Sequence, residues 1–106
     1  MPKNSRLNSL EKYNSVQKIA RAYSLKEKLI NMDQENLSNY SENILKKINK
    51  VDKVFSILAE PYKTIIKNTF FEKKELYWWD NCYSKTTFYR LRTKAINSFL
   101  LAFNYE

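Results

Sequence analysis

The stretch Trp78-Trp79-Asp80-Asn81-Cys82-Tyr83-Ser84-Lys85-Thr86-Thr87-Phe88-Tyr89-Arg90-Leu91-Arg92-Thr93-Lys94-Ala95-Ile96-Asn97-Ser98-Phe99-Leu100 decides how the chain folds. Ser84 is a good helix N-cap, because its side-chain oxygen can accept a hydrogen bond from an N–H in the first turn, where the helix leaves its donors unsatisfied. Beyond it Phe88, Leu91, Ala95, Phe99 and Ala102, with Ile96 and Phe103 beside them, recur at helical spacing and define one buried stripe. At about 100° per residue, Arg90 lies about 200° from Phe88, and Thr86, Thr87, Thr93, Lys94 and Asn97 share its side. That side holds only donors, acceptors and positive charge. Such a face suits plain solvation, or contact with phosphates and base edges in a major groove, and the helix alone does not choose between them.

Composition narrows the fold. A chain of 106 residues is one domain with a modest core. Eight Tyr and six Phe supply large buried areas from few positions, which a disordered chain would lack. Glycine is absent and there are two prolines, so hairpin turns that need positive φ have few residues to make them. An all-helical chain fits best. Without histidine, and with Cys82 alone, no zinc site, intrachain disulfide or His-based catalytic group can be assembled. Cys82 itself is expected to be a small buried apolar group. No apolar run is long enough for a membrane span or secretion signal, so the expected location is the cytoplasm. The net charge of +8 makes a polyanion the leading partner. The excess of Lys, Asn, Ile and Tyr also fits an AT-rich coding bias, so charge carries little weight by itself.

From Leu7 to about Met32 apolar residues recur at Leu7, Leu10, Tyr13, Val16, Ile19, Ala20, Tyr23, Leu29 and Ile30, which predicts one helix of about five to seven turns after a frayed start. Residues 1 to 32 hold seven basic and two acidic side chains, against four and two from 76 to 106. A nucleic-acid partner would therefore have to meet this first helix as well. Asn31 or Asp33 is expected to stop it, with Asp33 to Asn36 as the loop. The next helix carries Leu37, Tyr40, Ile44, Ile48, Val51, Phe55 and Leu58, an a/d-like seam that can pack on the first helix or join two chains as a homodimer. Glu60-Pro61 ends it and opens another, since proline suits a first helical position and disfavours helix before it. That helix shows Tyr62, Ile65, Ile66, Thr69 and Phe70 and ends near Glu72. Leu76 to Asn81 is expected as a short aromatic helix before the Cys82-Tyr83-Ser84 turn.

The segment from about Ile57 to Leu101 resembles the sigma-70 region 4 helix-turn-helix. It is similar to the divergent form in small low-GC bacterial proteins and in ArpU-type phage late-gene transcription regulators. The carrying residues are Tyr83-Ser84-Lys85-Thr86-Thr87-Phe88-Tyr89-Arg90-Leu91-Arg92-Thr93-Lys94-Ala95-Ile96, followed by Phe99-Leu100. Ser84 stands where region 4 opens its recognition helix, Phe88 at a core valine, and Lys94-Ala95-Ile96 at a basic-Ala-Leu run. Cys82 takes the place of the family's turn glycine, and Tyr77-Trp78-Trp79 that of a small Ile-Ala pair. The resemblance implies a helix from Ile57 to Phe70 across the back of the motif, DNA binding, and a class tendency to contact RNA polymerase.

Two positions invite closer reading. Neighbouring helical residues point about 100° apart, so Trp78 and Trp79 cannot both face the core centre; Trp79 is expected inside and Trp78 at its edge. Arg92 lies about 40° from Phe88, on the core side, where an ion pair with Asp80 or Glu72 would brace two helices. The combined expectation is an all-α, helical bundle of about five helices in a single domain over 1–106, with an N-terminal hairpin at 7–56 and a C-terminal helix-turn-helix at 57–106. Ser84 to Asn104 is its recognition helix. Ser84, Lys85, Thr86, Thr87, Tyr89, Arg90, Thr93 and Lys94 are the candidate contacts to double-stranded DNA. No cofactor, metal, catalytic group or membrane enters this reading. Its rival is a helical module that binds RNA polymerase or another protein without reading DNA sequence.

Overall fold

A computed structural model describes residues 8–32 and 42–105, and all regular structure among them is helical. Helix α1 spans Ser9–Tyr23, α2 Lys26–Ile30, α3 Glu42–Ile57, α4 Tyr62–Ile66 and α5 Lys85–Tyr105; α4 runs on directly into a π-helical turn, Lys67–Phe71. The loop expected at Asp33 to Asn36, the positions Leu7, Leu37 and Tyr40, and the frayed start at residues 1 to 6 lie outside the described residues.

Asn8 caps α1, its side-chain oxygen accepting from the Glu11 N–H at 2.8 Å. The single helix expected from Leu7 to Met32 is divided at Ser24 and Leu25. The Ser24 hydroxyl donates to the Arg21 carbonyl, and the Leu25 N–H turns back to Ala22, three residues away, so the chain tightens and bends there. The bend lets α2 bury Leu29. Asn31, one of the two expected stops, is its C-cap.

A cluster of three side chains ties this bend to α3. The Tyr23 hydroxyl donates to Asp52 Oδ1 at 2.7 Å, and Lys26 Nζ reaches both Asp52 oxygens at 3.1 and 3.2 Å. Burial by itself would raise the Asp52 carboxyl, but hydrogen bonds from Tyr23 and Lys26 and the Lys26 charge outweigh it and hold the group below its ordinary value. Burial, and then the bond to Asp52, push Tyr23 upward.

The seam of α3 faces inward. Ile48, Val51 and Val54 are buried, and α3 packs against α1 and α5 within the chain. Val54, which the four-three spacing passes over, is fully enclosed. One buried cluster joins Val16 and Ala20 of α1, Val51 and Val54 of α3, Ile65 and Ile66 of α4, and Phe88, Ala95, Phe99 and Phe103 of α5. Helix α5 is the hub, packing most extensively on α4 and also on α1 and α3.

The π turn explains how two adjacent phenylalanines both enter this core. The Glu72 N–H bonds to the Lys67 carbonyl at 2.8 Å, five residues back, a wider loop that advances each side chain by a smaller angle. Phe70 then meets Tyr13, with centroids 4.8 Å apart, while Phe71 lies among Tyr23, Phe55 and Phe99. Lys73 leaves the turn in the left-handed region at φ 49, and the Lys74 N–H closes on the Asn68 carbonyl at 2.9 Å.

The short helix expected at Leu76 to Asn81 is instead a run of tight turns. Successive i→i+3 bonds link Trp78 to Glu75, Asp80 to Tyr77 and Cys82 to Trp79. Leu76 and Tyr77 are exposed and only Trp79 is buried, so there is no apolar stripe to offset the cost of nucleating a helix. Cys82 is exposed too, against the expectation of a buried thiol. The turn is made without a left-handed residue at Asn81 or Cys82, since Lys73 is the positive-φ position among the described residues.

Candidate nucleic-acid interface

Helix α5 begins where its cap predicts. Ser84 Oγ accepts from the Thr87 N–H at 3.2 Å and donates to Thr87 Oγ1 at 2.9 Å. The preceding turns anchor this end through Trp79, which is buried and stacks flat on Phe88 with centroids 4.4 Å apart and planes 7° apart. Trp78 is half-buried and meets the same ring edge-on at 5.7 Å and 90°. The Trp79-inside expectation therefore describes the packing, with Phe88 gripped from two sides.

The eight candidate contact residues divide into two sets. Ser84 and Thr87 spend their hydroxyls on the cap, and Thr93 Oγ1 donates to the Tyr89 carbonyl at 3.0 Å. The Tyr89 ring belongs to an aromatic cluster with Trp79 and Phe88, although its edge is exposed. Lys85, Thr86, Arg90 and Lys94 are exposed and their side-chain polar groups make no hydrogen bond or ion pair among the described residues. These four occupy the first three turns of α5. The free N–H groups of the first turn, beside Lys85 and Thr86, favour an anion, and nothing in the described fold covers the four side chains.

Arg92 departs from its expected role. It pairs with neither Asp80 nor Glu72; Glu72 lies 3.9 Å from Lys67. The guanidinium is held between the Tyr13 ring, at 5.0 Å, and the Tyr89 ring, at 4.7 Å. Tyr13 comes from α1, whose crossing over α5 no local periodicity of residues 84 to 104 could announce.

The same crossing brings a cation that the sequence reading did not assign. Lys12 Nζ donates to Asn97 Oδ1 at 2.9 Å, so α1 delivers a positive charge beside the Arg90 face of α5. Asn97, placed on the open face by angle, is partly committed to that bond. The basic excess in residues 1 to 32 was the available signal, but it could not name the residue that reaches across.

No helix among the described residues is long and apolar enough to cross a membrane. No family model, curated protein or solved structure matches the chain.

Proposed function

We propose that the chain is a DNA-binding transcription regulator that presents the N-terminal half of α5 to the major groove. The turns at Leu76 to Cys82 then serve as the first limb of a degenerate helix-turn-helix, with Trp79 in place of a full helix. The observation that carries this reading is the exposed set Lys85, Thr86, Arg90 and Lys94, without hydrogen-bond or ion-pair partners among the described residues, on a helix whose other side is fixed in the core. Lys85, Arg90 and Lys94 supply salt-dependent phosphate affinity, and Thr86 with Arg90 is suited to base edges. The resemblance of residues 83 to 96 to sigma-70 region 4 supports the same reading. Ser84 and Thr87 act through the cap, which aims the first-turn N–H groups.

The test is the double variant Arg90→Ala, Lys94→Ala. Taking one cation away from a phosphate lowers affinity about fivefold near 0.15 M salt, so the pair is expected to cost about 30-fold. Far-ultraviolet circular dichroism should not change, since both side chains are exposed. Affinity for promoter-like duplex equal to that of the parent rejects the assignment.

The rival reading, a module that docks on RNA polymerase or another protein, draws on exposed Ile57 and Leu101, which flank an open apolar groove with Leu58, Tyr62 and Ala102. Pull-down after nuclease treatment separates the two. Loss of all partners favours nucleic acid, and retained polymerase subunits favour the protein contact.

A further inference from the structure

Where α1 crosses α5, Ser9, Lys12, Tyr13, Arg92, Thr93 and Asn97 surround a cleft of about 60 Å³, with Ile96 at its base. A single water needs about 10–15 Å³ measured this way, so the space accommodates a few waters or one tetrahedral oxyanion. Two of its walls are cationic, and none of the described side chains lining it is acidic. The nearest carboxylate on α1, Glu11, faces Asn8, which donates to it at 3.3 Å.

Arg92 is the unusual member. Its guanidinium lies 5.0 Å from the Tyr13 ring centre and 4.7 Å from that of Tyr89, two cation–π contacts that favour its place in the cleft over open solvent. Its Nε is buried and without an acceptor, and Arg92 makes no hydrogen bond to any described residue. A buried N–H on a charged group is costly to leave unpaired, and the described residues supply no acceptor for it. Lys12 Nζ carries three donors and gives one to Asn97. The remaining donors of both cations can therefore converge on a guest anion, in the geometry of charge-assisted bonds to phosphate.

We infer that the α1–α5 cleft is a seat for one phosphate group, held by Lys12 and Arg92 with the Thr93 and Ser9 hydroxyls at its rim. Resting on the DNA-binding reading, the group is a backbone phosphodiester next to the stretch of duplex met by Arg90 and Lys94. The first helix then extends the footprint, and Asn97 holds the Lys12 ammonium in place. This contact positions the duplex and reads no sequence.

Two measurements on the full chain test the seat and the source of the phosphate separately. In the first, dimethyl phosphate is titrated while the Arg92 Nε–H resonance is followed by ¹H–¹⁵N NMR. A saturable shift that Lys12→Gln abolishes supports the seat; no shift, or an equal one in Lys12→Gln, overturns it. In the second, duplex affinity is measured across salt concentrations. Lys12→Gln should lower the slope of log affinity against log salt by about 0.9, uniformly across duplex sequences. A parent that binds duplex with a slope that Lys12→Gln leaves unchanged overturns the use of the seat by DNA. Arg92→Lys, which keeps the charge and loses the fork, should weaken duplex affinity in the second measurement. If the parent binds no duplex while the resonance still responds, the seat stands and the DNA reading falls.

Discussion

Truncating Trp79 should damage this protein more than truncating its neighbour Trp78, although the two are adjacent and chemically identical. Trp79 is 4% exposed and stacks on Phe88 at 4.4 Å, with the Tyr77 and Tyr89 rings against its edges. Replacing a buried tryptophan by alanine costs about 3–5 kcal/mol, the forfeited transfer energy plus the cavity left behind. Domains of this size have a total stability of about 5–15 kcal/mol, so the loss is a large share. With a urea slope of about 1–3 kcal/mol per molar, the midpoint of Trp79→Ala should fall by roughly 2–3 M. Trp78→Ala removes a half-buried ring and should cost about 1–2 kcal/mol. Urea titration followed by circular dichroism measures both, and avoids the fluorescence change that each substitution causes by itself. A double-mutant cycle between Trp79 and Phe88 should show a coupling of about 0.5–1.5 kcal/mol from the stacked pair. The reasoning fails if Trp78→Ala is as harmful as Trp79→Ala, or if Trp79→Ala costs under about 1 kcal/mol. Either result would mean that the turns before α5 do not anchor its N-terminus as described.

The Asp52 cluster should give a pH-dependent contribution. Its carboxyl lies below its ordinary value of 3.8 when folded, so its stabilisation is present above that value and disappears as pH falls through the folded titration. Both Lys26 and Asp52 are more than a third exposed, which limits the effect of Asp52→Asn to about 1 kcal/mol at neutral pH. The difference between Asp52→Asn and the parent should shrink as pH falls below 3.8 through the folded titration, as measured by denaturation at several pH values. At Lys73 the left-handed backbone penalises any residue with a Cβ by about 1–2 kcal/mol, and glycine's extra freedom when unfolded offsets part of the relief. Lys73→Gly should therefore raise the thermal midpoint by about 2–5 °C. Lys73→Val should lower it.

Much of α5 was legible because its signals are local. Ser84 caps the helix within three residues of itself, and Phe88, Ala95 and Phe99 repeat at the helical period, so the start of the helix and its buried side follow from the sequence. The offset of about 100° says only that Trp78 and Trp79 cannot both face the core centre; the packing of the turns on Phe88 selects Trp79. Elsewhere the deciding contacts are long-range. The break at Ser24 depends on α2 turning to bury Leu29 and on Asp52 waiting on α3, and no pattern within residues 7 to 32 contains Asp52. The π turn lets Phe70 and Phe71 face different parts of one core, and a 3.6-residue template assigns one of them to the edge. Residues 76 to 81 read as a short aromatic helix, yet Trp79 alone is fully buried and Leu76 and Tyr77 are exposed, so turns replace the helix. Among the candidate contacts, angle placed Arg90, Lys94 and Thr86 outside correctly but gave no account of hydroxyls consumed by capping. Arg92 was placed on the core side correctly and given the wrong partner, because Tyr13 reaches it from the far end of the chain.

The central claim is that the uncovered polar face of α5 receives duplex DNA, and a mobility-shift titration of the unmodified chain against fragments of genomic duplex tests it most directly. Run at about 50 mM and 200 mM salt with excess non-specific competitor, the titration should show complexes that weaken steeply with salt. A minority of fragments should survive the competitor, because Thr86 and Arg90 discriminate bases. No complex at the lower salt, or equal displacement of every fragment, would contradict the account.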